Sequence, residues 1–159
     1  MNVLVTGGGG FLGRYIVERL LARGDRVRSF ARQAYPELEQ LGVEVIRGDL
    51  RDEKAVLAAC SGMETVFHTA GLPGIQCQWK PFYEINTLGT LSVLKGCLEH
   101  GVRSLIYTSS PSCVFDGQPQ VNVDESVPYP TRWLAHYPHS KALGEQAVLK
   151  ANCPKLLTC

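Results

Sequence analysis

The chain has almost no charge bias: 16 Lys and Arg face 15 Asp and Glu, for a formal net charge of +1. That balance gives no electrostatic reason to expect nucleic acid or an anionic membrane as a partner. No apolar run approaches the roughly 20 residues that a membrane-spanning helix needs. The charged, apolar and small-residue regions of a signal peptide are also missing, since Met1 leads straight into an apolar stretch, so the expected location is the cytoplasm. Six cysteines, at positions 60, 77, 97, 113, 153 and 159, form no Cys-x-x-Cys pair and have no histidine cluster beside them. Reduced thiols are therefore expected rather than zinc or disulfides, and no bound metal is expected at all. Tandem repeats and low-complexity segments are absent.

What is present is an ordinary globular composition, 159 residues with 45% hydrophobic and 19% charged, long enough to bury one sizeable core. Residues 2–6, Asn-Val-Leu-Val-Thr, read as a short buried parallel strand. Four glycines, Gly7 to Gly10, and then Phe11, Leu12 and Gly13 follow. Leu12, Ile16, Val17, Leu20 and Leu21 mark a helix with one apolar face, closed by Gly24. Strand, glycine turn and helix in that order are what a dinucleotide site needs. Glycines let the backbone approach a pyrophosphate, and the helix start offers free N–H groups and partial positive charge.

Further strands are expected at 26–31, 43–46, 65–71 and 103–109, with a sixth starting at 155–159, and helices around Val56–Ala59 and over 86–98. The repeated β-α alternation predicts an α/β fold: a doubly wound parallel sheet with helices on both faces, in three layers. The second strand ends in Ala31 and Arg32, where an NAD-selecting unit carries an acid; an arginine there suits a 2′-phosphate, or is simply a solvated loop residue. His68 reads as a core or strand-end histidine in preference to a ligand or base. Residues 72–82 read as a loop in which Gln76, Trp79 and Lys80 either border a substrate or, for Trp79, pack. The segment 111–135, rich in Pro, Gly, Asp and Asn, reads as a long functional loop.

Tyr137 and Lys141 lie four apart at the start of a run of good helix formers, with Pro138 acceptable in a first turn. That spacing puts phenol and ammonium on one helix face. A nearby cation favours the phenolate and suits the tyrosine to pass a proton to or from an alcohol or carbonyl.

These residues together resemble the extended short-chain dehydrogenase/reductase family. Thr6-Gly7-x-x-Gly10-x-x-Gly13 matches its fingerprint, Asp49-Leu50 resembles its adenine-contacting pair, and Tyr107 to Ser110 and Tyr137-x-x-x-Lys141 resemble its catalytic segments. Tyr137 to Lys141 followed by Glu145, Ala147, Val148, Leu149, Ala151 and Asn152 is similar to the 3β-hydroxysteroid dehydrogenase-like branch. Ser109-Ser110-x-Ser112 with Phe115 and Gly117 resembles the decarboxylating sterol dehydrogenases. Tyr35 to Leu38 and Arg47 to Leu50 resemble bacterial 2-alkyl-3-oxoalkanoate reductases.

The resemblance implies an NAD(P)-binding Rossmann domain over 1–159, the N-terminal part of a longer enzyme whose substrate region lies elsewhere. It implies an oxidoreductase that interconverts a hydrophobic secondary alcohol and its ketone, with Tyr137 as acid/base, Lys141 as its support, Ser110 on the substrate oxygen and Asn86 in a proton relay. Gly7, Gly10, Phe11, Leu12, Gly13, Arg32, Asp49, Leu50, Thr69, Ala70, Gly71, Tyr137 and Lys141 are the implied cofactor contacts. NADP(H) is favoured over NAD(H) by Arg32, and a homodimer is compatible with the resemblance. The alternatives are a nucleotide-sugar epimerase or dehydratase, and a non-catalytic NADP(H)-binding regulator.

Overall fold

The computed structural model describes residues 1–74 and 78–159. Six strands form one parallel sheet: β1 Asn2–Thr6, β2 Arg26–Ala31, β3 Glu44–Arg47, β4 Thr65–His68, β5 Ser104–Tyr107 and β6 Leu157–Thr158, in the spatial order β3-β2-β1-β4-β5-β6. The order reverses direction at β1, so the crevice between the ends of β1 and β4 is the switch point at which such sheets bind ligands.

The strand β1 explains the layering. Val3 and Val5 point to one face, into a core with Val17, Leu20, Val27, Leu38 and Val43. Leu4 points to the other, with Phe30, Val56, Val93, Leu105 and Val148. Both faces are covered, which is why the strand reads as an unbroken apolar run. Helices α1 (Phe11–Ala22) and α2 (Pro36–Gln40) lie on the first face. On the second lie α3 (Glu53–Cys60), the helical stretch that begins with α4 (Trp79–Phe82) and continues as α5 (Gly89–Glu99), and α6 (His136–Lys150). Gly24 follows α1 at φ +86, the left-handed position that ends a helix.

Several boundaries differ from those read in the sequence. The strands β4 and β5 stop at His68 and Tyr107, so Thr69 to Gly71 and Thr108 to Ser110 peel off the sheet. The helix expected from Asn86 begins earlier, because α4 runs through a π-helical turn, Tyr83–Leu88, into α5. Pro81 sits in the first turn of α4, where its missing N–H costs no bond. Trp79 and Lys80 are therefore helical, and Gln76 lies outside the described residues. Of the long segment after β5, only Pro111–Val114 forms a turn of 3₁₀-helix. Among the described residues no helix is long and apolar enough to cross a membrane.

Candidate active site

A cleft of about 350 Å³ opens along the C-terminal ends of the strands. Its floor is the glycine turn. Gly7 adopts φ +72, and a Cβ on it would lie 3.0 Å from the Ala70 backbone, so β1 and the loop after β4 touch there. A Cβ on Gly13 would fall 2.1 Å from the Gly7 carbonyl oxygen, which forces α1 to seat directly against the turn. Gly10 is the N-cap of α1; no side chain caps the helix and no acid occupies its first turn. The free N–H groups thus face the cleft unopposed, the arrangement that binds phosphate. The residues present fit a dinucleotide.

The far wall comes from the ends of β2 and β3: Ala31, Arg32, Gln33 and Tyr35, then Gly48, Asp49 and Leu50. The Arg51 guanidinium grips Asp49 at 2.6 and 3.0 Å. That contact, with a smaller contribution from Arg32, holds the Asp49 carboxyl down at about 2. The near wall is Thr69, Ala70, Gly71, Leu72 and Ile85.

Beyond that wall, α6 carries Tyr137 and Lys141 and packs against the 3₁₀ turn that follows Ser110. Lys141 is buried, its Nζ donating to the Thr108 carbonyl oxygen at 2.6 Å and lying 4.0 Å from the centre of the Tyr107 ring. Burial pulls its pKa down to about 8. Tyr137 is half-buried with its ring edge-on to Phe82, centroids 6.2 Å apart. The Ser110 and Ser112 hydroxyls are 2.8 Å apart. Gly144 allows α6 this close approach, since a Cβ there would meet the Asn86 carbonyl oxygen and the Tyr107 hydroxyl at 2.8 Å.

Under these groups runs a closed chain of buried hydrogen bonds. Thr90 Oγ1 donates to the Asn86 carbonyl oxygen at 2.7 Å, so it can only accept from His68 Nε2, 3.0 Å away. His68 therefore carries its proton on Nε2, and Nδ1 accepts from Thr6 Oγ1 at 2.7 Å. The Ala70 N–H in turn donates to Thr6 Oγ1. Burial, with a smaller push from Lys141, holds the His68 pKa down at about 3, so the ring is a neutral core residue, as its sequence context suggests. The Asn86 side chain is committed as well: it accepts from Leu72 N at 2.7 Å and donates to the Leu72 carbonyl and the Ser140 hydroxyl. It clamps the loop after β4 to α6.

Of the residues singled out in the sequence, Gly7, Gly10, Arg32, Asp49, Leu50, Thr69, Ala70 and Gly71 line one cleft, and Gly13 lies beneath it. Phe11 and Leu12 do not line it; Phe11 is 85% exposed and stacks edge-on with Tyr15. Ser110, Asn86, Tyr137 and Lys141 do not line the cleft; Asn86 bonds Leu72 of its near wall, Lys141 bonds Thr108, and α6 packs on the turn after Ser110. Sequence reasoning gave no role to Gln33, Tyr35, Leu72 and Ile85 in the cleft, nor to the Thr6–His68–Thr90 chain. Tyr35 and Thr6 stood inside segments quoted for the family resemblance, but nothing in the sequence said what they touch.

A family model described as the 3-beta hydroxysteroid dehydrogenase/isomerase family matches residues 4–159. A 2-alkyl-3-oxoalkanoate reductase of Stenotrophomonas maltophilia (strain K279a) is 43% identical over 99% of this chain and 48% of its own length. The human sterol-4-alpha-carboxylate 3-dehydrogenase, decarboxylating, is 41% identical over 95% of this chain and 40% of its own. Among solved structures, the UDP-glucose 4-epimerase of Thermus thermophilus in complex with NAD superposes with a TM-score of 0.81 at 34% identity, covering 94% of this chain and 50% of that one. The chain thus spans about half the length of the curated relatives it matches.

Proposed function

The chain belongs to the 3-beta hydroxysteroid dehydrogenase/isomerase family, and from that footing we propose that it is the dinucleotide-binding and proton-transferring part of an oxidoreductase interconverting a hydrophobic secondary alcohol and its ketone. A 3-oxoalkanoate is the first candidate substrate, because the reductase of that name is 43% identical across nearly the whole chain. A 3β-hydroxysteroid is the second. The observation that carries the reading is the burial of Lys141 one helical turn after Tyr137, on the flank of a cleft floored by an uncapped glycine turn.

The glycine turn and the start of α1 hold the pyrophosphate, Asp49 and Leu50 border the adenine, and Arg32 faces the adenosine ribose, where it favours NADP(H) over NAD(H). When bound, the dinucleotide gives or takes the hydride. The protein handles the proton. The Tyr137 hydroxyl donates it to the carbonyl oxygen during reduction and is left as the phenolate, and that phenolate takes the proton from the alcohol during oxidation. Ser110 donates a hydrogen bond to the same oxygen, aided by its contact with Ser112. Lys141, charged below about pH 8, supports the phenolate electrostatically. Asn86 acts by position, because its side chain is already saturated by Leu72 and Ser140.

The test is NADPH consumption in the presence of a 2-alkyl-3-oxoalkanoate, with formation of the 3-hydroxy product. A protein that binds NADPH yet reduces neither oxoalkanoates nor oxosteroids contradicts the proposal. A nucleotide-sugar epimerase is the second reading, supported by the likeness to the Thermus enzyme. It predicts NAD retained through purification and turnover of UDP-sugars. The pairing of Ala31 with Arg32 at the end of β2 weighs against it, because no carboxylate stands there to hold the NAD ribose.

A further inference from the structure

We infer that Tyr35 is a second determinant of which dinucleotide the cleft takes, acting by holding the Arg32–Gln33 segment over the adenosine end. The inference rests on the reading of the cleft as a dinucleotide site.

The starting point is a glycine whose backbone does not require one. The turn contains four glycines in a row, and three of them are explained locally. Gly7 has a left-handed φ of +72, Gly8 would drive a Cβ to 2.5 Å from Ser29 Oγ, and Gly10 leaves the start of α1 bare. Gly9 has no positive φ, so its φ does not call for glycine. What a Cβ there would meet is Tyr35: Cε1, Cε2 and Cζ of the ring, each at 2.3 Å. The three equal distances place that Cβ over the middle of the ring, so the Tyr35 ring covers the glycine face-on. Gly9 is small so that Tyr35 can rest on it.

That contact anchors an otherwise exposed stretch. Arg32, Gln33 and Ala34 are all exposed, and Tyr35 is the first half-buried residue after β2. Behind it the chain is tied down: the Leu38 N–H donates to the Tyr35 carbonyl at 2.9 Å, and Leu38 is fully buried in the core beneath α1. Among the described residues no carboxylate lies within ion-pair distance of Arg32, although it lines the cleft with Tyr35. With no ion pair of its own, and with the nearby Asp49 carboxylate engaged by Arg51, this long side chain is placed chiefly by its backbone. The backbone of Arg32 is pinned at two points: the end of β2 and the Tyr35 ring on Gly9. Tyr35 is thus a positioning residue for the guanidinium, and its substitution should alter the choice between dinucleotides more than the binding they share.

The experiment is a titration of NADPH and NADH, followed by fluorescence, against wild type, Gly9→Ala, Tyr35→Ala, Tyr35→Phe, Arg32→Ala and Arg32→Ala/Tyr35→Ala. The readout is the ratio of the two affinities, which general loosening of the fold does not move. Gly9→Ala and Tyr35→Ala reach the contact from opposite sides, and each should lower the NADPH preference by about fivefold, within the range of coupling between touching residues. Tyr35→Phe should keep the ratio, because the ring makes the contact. In the Arg32→Ala background, Tyr35→Ala should change the ratio no further. A wild type that binds both dinucleotides, with a ratio unmoved by Gly9→Ala and Tyr35→Ala, overturns the inference alone. So does an equal fall in the Arg32→Ala background. A wild type that binds neither dinucleotide overturns the reading of the cleft together with the inference.

Discussion

Around the glycine turn the cleft is shaped by backbone. Gly7, Gly10 and Gly13 contribute no side chains, and their work is to let β1, α1 and the loop after β4 come within contact of one another. Around β5 and α6 the shape depends on side chains brought from distant parts of the chain: Lys141 on the Thr108 carbonyl, Gly144 under Tyr107, and Asn86 between Leu72 and Ser140. The first region leaves its polar groups open toward the cleft. The second satisfies most of its own, and it keeps a buried ammonium that costs stability. Binding a phosphate needs open donors on a rigid floor. Moving a proton needs groups whose charge is tuned by burial and neighbours. The contrast between the two regions fits that division of labour.

The sharpest way to break the backbone-built region is at Gly13. Gly13→Ala places a methyl 2.1 Å from the Gly7 carbonyl oxygen. Relief requires α1 to shift, and the expected loss is at the upper end of overpacking costs, about 3 kcal/mol. Gly10→Ala, whose methyl would lie 3.2 Å from the same oxygen, should fold with a much smaller loss. Urea midpoints of the two variants test this, and equal midpoints would contradict it.

The side-chain-built region should answer a comparable perturbation with the opposite sign. Lys141→Met keeps the stem's packing and removes the buried charge. Burial lowers this lysine from 10.5 to about 8, so below about pH 8 the folded state carries a penalty on the order of 3 kcal/mol. The variant should therefore be more stable than wild type at neutral pH while losing turnover. The pH dependence follows the same sign. From about pH 8 up to 10.5 the folded state has released this proton and the unfolded state still holds it, so wild-type stability should rise relative to Lys141→Met across that window. A stability gap between the two that stays constant with pH would count against the burial argument. Turnover should fall above about pH 8 as the ammonium is lost.

An effect that is small near neutral pH and grows on acidification separates the hydrogen-bonded chain beneath the site from both regions. His68 stays neutral in the folded protein down to about pH 3, whereas the unfolded chain protonates near 6.5. As pH falls from 6.5 toward 3 the unfolded state alone gains the proton, so this histidine should cost at most about 1.4 kcal/mol per pH unit over that range. His68→Asn should be less stable than wild type at neutral pH and should lose stability less steeply on acidification. Parallel slopes for the two proteins would show that the ring is not held neutral.

The same contrast accounts for what could be read in the sequence. The glycine turn is contiguous, so Gly7, Gly10 and Gly13 could be placed from their spacing after an apolar strand. Tyr137 and Lys141 were legible because helical periodicity fixes which residues share a face. The partners of Lys141 were not, since Thr108 and Tyr107 lie about thirty residues away and meet it only through tertiary packing. Residues 72–82 read as a loop, yet 79–82 are helical, with Pro81 in a first turn where a proline is tolerated. Phe11 and Leu12 follow the glycines closely enough to suggest cofactor contact; their side chains are exposed, and what they offer the cleft is the backbone at the start of α1. Asn86 was assigned to a proton relay by resemblance alone, and its bonds to Leu72 and Ser140 were not legible because those residues lie far apart in the chain.

Two linked claims stand at the centre: the cleft binds a nicotinamide dinucleotide, and Tyr137 moves the proton beside it. The most direct measurement pairs an NADPH binding titration with turnover of a 2-alkyl-3-oxoalkanoate, in wild type and Tyr137→Phe. The variant keeps the ring that packs edge-on against Phe82 and loses only the hydroxyl. NADPH affinity near that of wild type with turnover reduced by about 10²–10⁴ is the predicted result. Near-normal turnover in Tyr137→Phe would contradict it.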